Sequence, residues 1–248
     1  MNKWRYFLKK AVKFALQKDA MVEFGKNAEL VNLYKIFSGH PEGKWILGKP
    51  EALTLFNLVK ARDPKNILEL GTGIGASTAV LALAAKNGKV TSVEQYKKCV
   101  SIANEIIPVD LKCKITLIYS EPVVSQNLKI SKYYYFSGYK NLPVSNGPFD
   151  FVIMDGPGGF ELGGEFVKLH AIDIANLLPF MAPGCIVFVD GRKSTVKLYK
   201  RFLSDYLKPV EENQKYTLLE RTAKPLKSVG DIEIVDSECA RRPANDYF

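Results

Sequence analysis

The chain has 248 residues, 47% hydrophobic and 25% charged, enough apolar material for one full core with extensions and too much for a disordered chain. Its net charge of +9 is concentrated at the start, where residues 1–62 carry +7, so the rest is nearly neutral and composition alone does not make it a nucleic-acid binder. Four well-separated cysteines, Cys99, Cys113, Cys185 and Cys239, with no C-x-x-C pair, suggest neither a zinc site nor a disulfide framework; they point to reduced, cytoplasmic thiols, with Cys185 in the core.

Laid on a helix, residues 1–19 place Trp4, Phe7, Leu8, Ala11, Phe14 and Ala15 on one face and Lys9, Lys10, Lys13 and Gln17 on the other. Lysines interrupt this apolar run too often for a signal-peptide core or a membrane span. The segment therefore either lies on an anionic membrane surface, which would put the protein at the inner face of a membrane, or packs on its own domain or on the second copy of a homodimer. Residues 21–49, punctuated by Gly25, Gly39, Pro41, Gly43 and Gly48, read as short helices and turns that could form a lid, with His40 a surface residue. Residues 1–49 thus form a basic helical extension. Pro50 opens a helix that runs to about Ala61 and is stopped by Asp63-Pro64.

Residues 66–78 organise the chain. Ile67, Leu68 and Leu70 read as a short buried parallel strand; Gly71, Gly73 and Gly75 allow a sharp turn and close approach to a ligand before Ser77 and Thr78 open a helix. Gly71, Gly73 and Ala76 also fit the dinucleotide fingerprint, with an acid, Glu94, 23 positions on. Glu69 separates the two readings, because a carboxylate inside an apolar strand needs a partner, and a cationic ligand would supply one. Here the sequence resembles the class I S-adenosylmethionine-dependent methyltransferases, whose first motif E/D-x-G-x-G-x-G is matched by Glu69, Gly71, Gly73 and Gly75. The resemblance covers roughly residues 50–222. It implies an α/β fold, a doubly wound, mostly parallel seven-stranded sheet with helices on both faces, Rossmann-like, in a cofactor domain of residues 50–224. Within it Glu69, Gly71, Thr72, Gly73, Gly75 and Ser77 face the amino acid end of the cofactor.

The second strand, residues 89–93, ends at Glu94, the expected ribose clamp, with Gln95 beside it as an added contact and a helix over residues 96–107 that Glu94 could also cap. A third strand follows at residues 114–119, with Ser120 and Glu121 near the adenine position. Tyr133, Tyr134, Tyr135, Phe136 and Tyr139 form either a stacking surface for an acceptor or the buried side of a helix. The fourth strand, residues 149–154, ends in Asp155-Gly156-Pro157-Gly158-Gly159. Acids at the ends of the first and fourth strands meet at one crevice, so Asp155 should face the transferred methyl.

The Asp-Gly-Pro-Gly turn lacks both the Asn/Asp-Pro-Pro-aromatic turn of base-amine enzymes and a Pro-Cys nucleophile. It looks like that of O-methyltransferases acting on small molecules and carbohydrates, which implies a small-molecule, sugar or glycan hydroxyl as acceptor, with nucleic acid disfavoured. A helix is expected over residues 163–179, with His170 in its middle, and a fifth strand at 185–189 leads to Asp190-Gly191-Arg192. Asp155 and Asp190 are the candidate catalytic residues, since a carboxylate can take the hydroxyl proton. Divalent-metal relatives would use these acids for Mg²⁺ together with an Asn where this chain has Gly191, which argues against a metal. The rival functions are an RNA methyltransferase clamping through the basic N-terminus and a catalytically silent cofactor-binding subunit. A helix over residues 194–207, an antiparallel edge strand at 215–222 and an extension over 225–248 with a strand at 232–235 complete the expectation.

Overall fold

The computed structural model describes residues 19–126, 135–226 and 233–234. The amphipathic segment at residues 1–18, Tyr133, Tyr134, Cys239 and most of the C-terminal extension lie outside them. Residues 19–26 are helical. After them come α1 (Ala28–Ser38), a 3-10 turn (Pro41–Trp45), α2 (Lys49–Arg62), β1 (Asn66–Leu70), α3 (Ala76–Ala84), β2 (Lys89–Glu94), α4 (Lys97–Ile106), α5 (Val109–Lys112) and β3 (Ile115–Tyr119). Next come β4 (Pro122–Gln126), β5 (Phe136–Tyr139), β6 (Phe149–Met154), β7 (Phe160–Leu162), β8 (Glu165–Val167), β9 (His170–Ala171) and α6 (Asp173–Leu177). The chain then runs through β10 (Met181–Asp190), α7 (Lys193–Phe202), β11 (Leu207–Glu212), β12 (Tyr216–Arg221) and β13 (Glu233–Ile234).

Seven strands form the main sheet in the order β11-β12-β10-β6-β1-β2-β3, all parallel except β12, which runs antiparallel to both its neighbours. This is the doubly wound arrangement that the glycine motif implies. Alternation along the central strands divides the core into two layers. Ile67, Phe151, Ile153, Ile186 and Phe188 pack in one cluster with buried residues of α1, α2 and α3, among them Leu30, Leu55 and Val80. Leu68, Leu70, Val152, Met154, Val187 and Val189 face the other way, toward Ile174 and Leu177 of α6 and Val196 and Tyr199 of α7. Strands buried on both faces read as near-continuous apolar runs, which is why β1, β6 and β10 stand out in the sequence.

Helix α2 carries Pro50 in its first turn, where its missing N–H costs nothing, and ends at Asp63 in the left-handed region (φ 43°), a conformation Asp tolerates because its short side chain bonds locally. The Asp63 carboxylate accepts the Lys86 N–H at 3.2 Å. Asp150 of β6 accepts the N–H groups of Lys65 and Asn66 at 2.7 and 3.0 Å and so fixes the entry to β1.

Several expectations are corrected. Residues 163–179 are not one helix: Gly163 and Gly164, both at positive φ, turn a hairpin between β7 and β8, and only Asp173–Leu177 is helical. His170 accordingly lies in strand β9, buried at 2% exposure. The strand near residue 216 is interior, since β11 pairs outside it, and the helix before it ends at Phe202 rather than continuing to residue 207. Phe136 and Tyr139 belong to strand β5, in a second sheet of order β13-β4-β5-β9, so the helical alternative does not hold for these two residues. Cys185 is buried in the core as expected. Among the described residues, no helix is long and apolar enough to cross a membrane.

Candidate active site

The sheet places the ends of β1 and β6 side by side, and two glycines let them meet. Gly71 (φ 101°) comes so close to β6 that an added Cβ would lie 2.7 Å from the Gly156 nitrogen and 2.8 Å from the Asp155 carbonyl carbon. Gly75 (φ 93°) starts α3 against α4, where a Cβ would meet Ile107 at 2.9 Å and Ala103 at 3.0 Å. The loop is therefore clamped between neighbours while its middle stays open, for nothing lies within 4 Å of a Cβ built on Gly73.

A cavity of ≈ 100 Å³ opens over this loop. Gly71, Thr72, Gly73 and Ser77 line one wall, and Asp155 and Asp190, from the ends of β6 and β10, stand on another. Glu42, Ile46 and Leu47, from the segment around the 3-10 turn, complete it. The segment expected as a lid thus contributes a wall, and the Lys98–Glu42 ion pair at 2.7 Å ties it to α4. His40 caps that turn, its Nδ1 accepting the Glu42 N–H at 3.2 Å, and is not a wall residue.

Glu69 lies beneath the loop, not on the cavity wall. It is fully buried, and one oxygen, Oε2, accepts from the Ser92 hydroxyl at 2.5 Å and from Thr78, while Oε1 has no hydrogen-bond partner. Burial pushes its carboxyl up to about 7, against the opposing pull of the Ser77, Ser92 and Thr78 hydroxyls. Ser77 therefore both lines the cavity and acts on the acid below it. The hydroxyl shell continues upward, since Thr72 and Ser92 share a hydrogen bond of 2.6 Å.

Glu94 and Gln95 also sit outside the cavity wall. Glu94 accepts the N–H groups of Gly73 at 2.7 Å and Tyr96 at 2.9 Å, so it holds the glycine loop and caps α4 at once, while burial raises its carboxyl. Gln95 binds the segment after Asp155: its Oε1 accepts the Gly158 N–H at 2.6 Å and its Nε2 donates to the Gly159 carbonyl at 3.1 Å.

Asp155 exposes its carboxylate to the cleft although protein surrounds its other sides. Desolvation, then the neighbouring charge of Asp190, raises its carboxyl, and water at the cleft mouth moderates that rise. The same desolvation raises Asp190. The guanidinium of Arg192 donates to the Asp155 backbone carbonyl and opposes both rises.

Sequence reasoning does not assemble the layer behind this site, although it names Tyr139 among the aromatic candidates. Tyr139, whose hydroxyl has no hydrogen-bond partner, packs against Gly156; Asp173, fully buried, accepts the Tyr139 N–H at 3.0 Å; and the Tyr199 hydroxyl donates to the Ala171 carbonyl at 2.7 Å. Burial pushes the Asp173 carboxyl up to about 7. Their common signal is weak, because Tyr139 in a short strand, Asp173 in a five-residue helix and Tyr199 in an amphipathic helix share no periodicity. Among the described residues no group of three or more His, Cys, Asp or Glu side chains is arranged to hold a metal ion.

Neither the models of known protein families nor the curated proteins give a match to the sequence. Solved structures do match. The O-methyltransferase TomG of Streptomyces achromogenes, involved in tomaymycin synthesis and solved with S-adenosylmethionine, is 20% identical over 77% of this chain and 89% of its own, with a TM-score of 0.51. An O-methyltransferase of Bacillus cereus, solved with S-adenosylhomocysteine, is 16% identical over 79% and 91% of the two chains (TM-score 0.52). The methyltransferase PaMTH1 of Podospora anserina, also bound to S-adenosylhomocysteine, is 11% identical over 84% and 96% (TM-score 0.52). The chain has the Rossmann-like fold of the class I O-methyltransferases.

Proposed function

We propose that the protein is an S-adenosylmethionine-dependent O-methyltransferase acting on a hydroxyl of a small molecule, sugar or glycan intermediate. The observation that carries this reading is the convergence of Asp155 and Asp190 with the Gly71–Gly73 turn on one cavity, at the switch point of a doubly wound sheet. The residues fit the amino acid end of such a cofactor. The open backbone at Gly73 leaves room for close approach, and Glu69, buried beneath it with one oxygen unpartnered, would ionise more readily with a cationic ligand beside it.

When bound, S-adenosylmethionine supplies a methyl group on a sulfonium leaving group. The protein's own part is positioning and proton removal. Asp155, with its carboxyl raised by desolvation, is suited to accept the proton of an acceptor hydroxyl near neutral pH. Arg192 holds the Asp155 main chain in place. Asp190 faces the same space and orients the acceptor, while Ile46, Leu47 and Phe188 exclude water from it.

Titration calorimetry with S-adenosylhomocysteine tests the cofactor, and binding of NAD in its place would defeat the proposal. Turnover on a panel of hydroxyl acceptors with labelled cofactor tests the chemistry. Asp155→Asn should retain S-adenosylhomocysteine binding and lose methyl transfer by about 10²–10⁴-fold, the range for a positioned general base. Cofactor binding without turnover on any acceptor would leave a silent cofactor-binding subunit.

A further inference from the structure

A cofactor of this type, running from the glycine loop to a ribose-binding acid, needs the space above the ends of β1 and β2. In this structure the protein fills that space itself. The cavity stops short of Glu94 and Gln95, which are 4% and 6% exposed. Lying over them is the segment that follows Asp155, pinned at three points. The Gly158 N–H donates to Gln95 Oε1 at 2.6 Å, Gln95 Nε2 donates to the Gly159 carbonyl at 3.1 Å, and the Tyr96 hydroxyl donates to that same carbonyl at 3.0 Å.

We propose that the Gly158–Gly159 backbone occupies the base site of the cofactor, and that Gln95 is the residue that reads the base once this backbone is displaced. The inference rests on the reading of S-adenosylmethionine as cofactor. A carboxamide presents one acceptor and two donors, and it now holds a main-chain N–H and a main-chain carbonyl. An adenine edge offers the same pair, an amino donor beside a ring-nitrogen acceptor, which is how Gln recognises adenine elsewhere. The exchange keeps Gln95 bonded in both states, so releasing the loop leaves no buried orphan on its side chain. Glu94 fixes the geometry, because its carboxylate is already anchored by Gly73 and Tyr96 next to where a ribose would stand.

The movement is bounded on both sides. Asp155 is held by its N–H to the Leu70 carbonyl at 2.8 Å, and Phe160 is buried in a small apolar cluster with Val124, Val167 and Leu169. Only residues 156–159 need to shift. The loop is therefore a latch that opens for an adenosine-bearing ligand and bears on specificity for the base.

The test is the rate of S-adenosylhomocysteine association and dissociation, measured by surface plasmon resonance on the full chain, for the wild type, Gln95→Leu and Tyr96→Phe. Gln95→Leu removes two of the three pins and the base contact, so both association and dissociation should be about tenfold faster. Tyr96→Phe should speed association by a smaller factor and leave dissociation unchanged. The wild type should bind the analogue lacking the 6-amino group about tenfold more weakly than S-adenosylhomocysteine, a preference that Gln95→Leu loses. Unchanged association in both variants, or equal wild-type affinity for the two ligands, overturns the inference while leaving the cofactor reading intact. Absence of S-adenosylhomocysteine binding in the wild type removes both.

Discussion

Glu69→Gln is the most direct probe of the acid beneath the glycine loop. Glu69 is fully buried, and its carboxyl is raised from 4.5 to about 7, chiefly by desolvation. At pH values below both figures the group is neutral in the folded and the unfolded chain, and burial carries no charge penalty. As pH rises from 4.5 to about 7, the unfolded chain releases its proton and the folded chain keeps it, so folding stability falls; above that the loss is complete. Each pKa unit is about 1.4 kcal/mol, which makes the full loss about 3 kcal/mol. Glutamine keeps an acceptor for Ser92 and Thr78 but places a carboxamide N–H where Oε1 has no partner, a cost that does not vary with pH. Urea unfolding at pH 5 and pH 8 spans roughly three-quarters of that loss and should therefore find the variant gaining about 2 kcal/mol relative to the wild type over that interval. A relative stability that stays constant between the two pH values would show that Glu69 titrates normally, and would refute the account of its burial.

The remaining expectations concern packing and chemistry. Gly71→Ala forces a Cβ to within 2.7 Å of the Gly156 nitrogen at φ 101°, and should cost more than about 2 kcal/mol in thermal unfolding and abolish S-adenosylhomocysteine binding in calorimetry. Tyr199→Phe leaves the buried Ala171 carbonyl without its side-chain donor, so urea unfolding should report a loss of about 1–3 kcal/mol. Methyl transfer should survive EDTA. Arg192 already supplies positive charge beside Asp155 and Asp190, and Gly191 offers no side-chain oxygen; activity lost to EDTA and restored by Mg²⁺ would assign these acids to a metal instead.

What could be read from the sequence follows from how local each signal is. β1, β6 and β10 announce themselves as apolar runs, and the Gly71–Gly75 spacing marks the turn between strand and helix. The neighbours of Glu69 could not be read, because Ser92 meets it only through the register Glu69↔Ser92 and Thr78 only through the docking of α3. β11 escaped notice because five of its six residues are exposed and it contains Pro209, so it has neither alternation nor an apolar run. The hairpin at Gly163-Gly164 was legible, for two glycines between Phe160-Glu161-Leu162 and Glu165-Phe166-Val167 are a two-residue turn signal. A helical reading of the longer stretch overrode it. At the site, Asp155 and Asp190 line one cavity; strand order points to Asp155, and Asp190 enters through the family resemblance, whereas the packing of Tyr139, Asp173 and Tyr199 depends on a second sheet whose strands run two to five residues.

The antiparallel strand β12 imposes an order on synthesis. It is wedged between β10 and β11 and buried along nearly its whole length, with Leu218 and Leu219 reaching opposite layers of the core. Until residue 221 has been made, the run Ile186–Val189 has an unpaired edge, rich in β-branched and aromatic side chains, of the kind that recruits other chains. The 31 residues between Asp190 and Arg221 take roughly 2–6 s to add at ordinary elongation rates. A nascent chain is exposed to aggregation for that interval, and a truncation placed anywhere within it would make the exposure permanent.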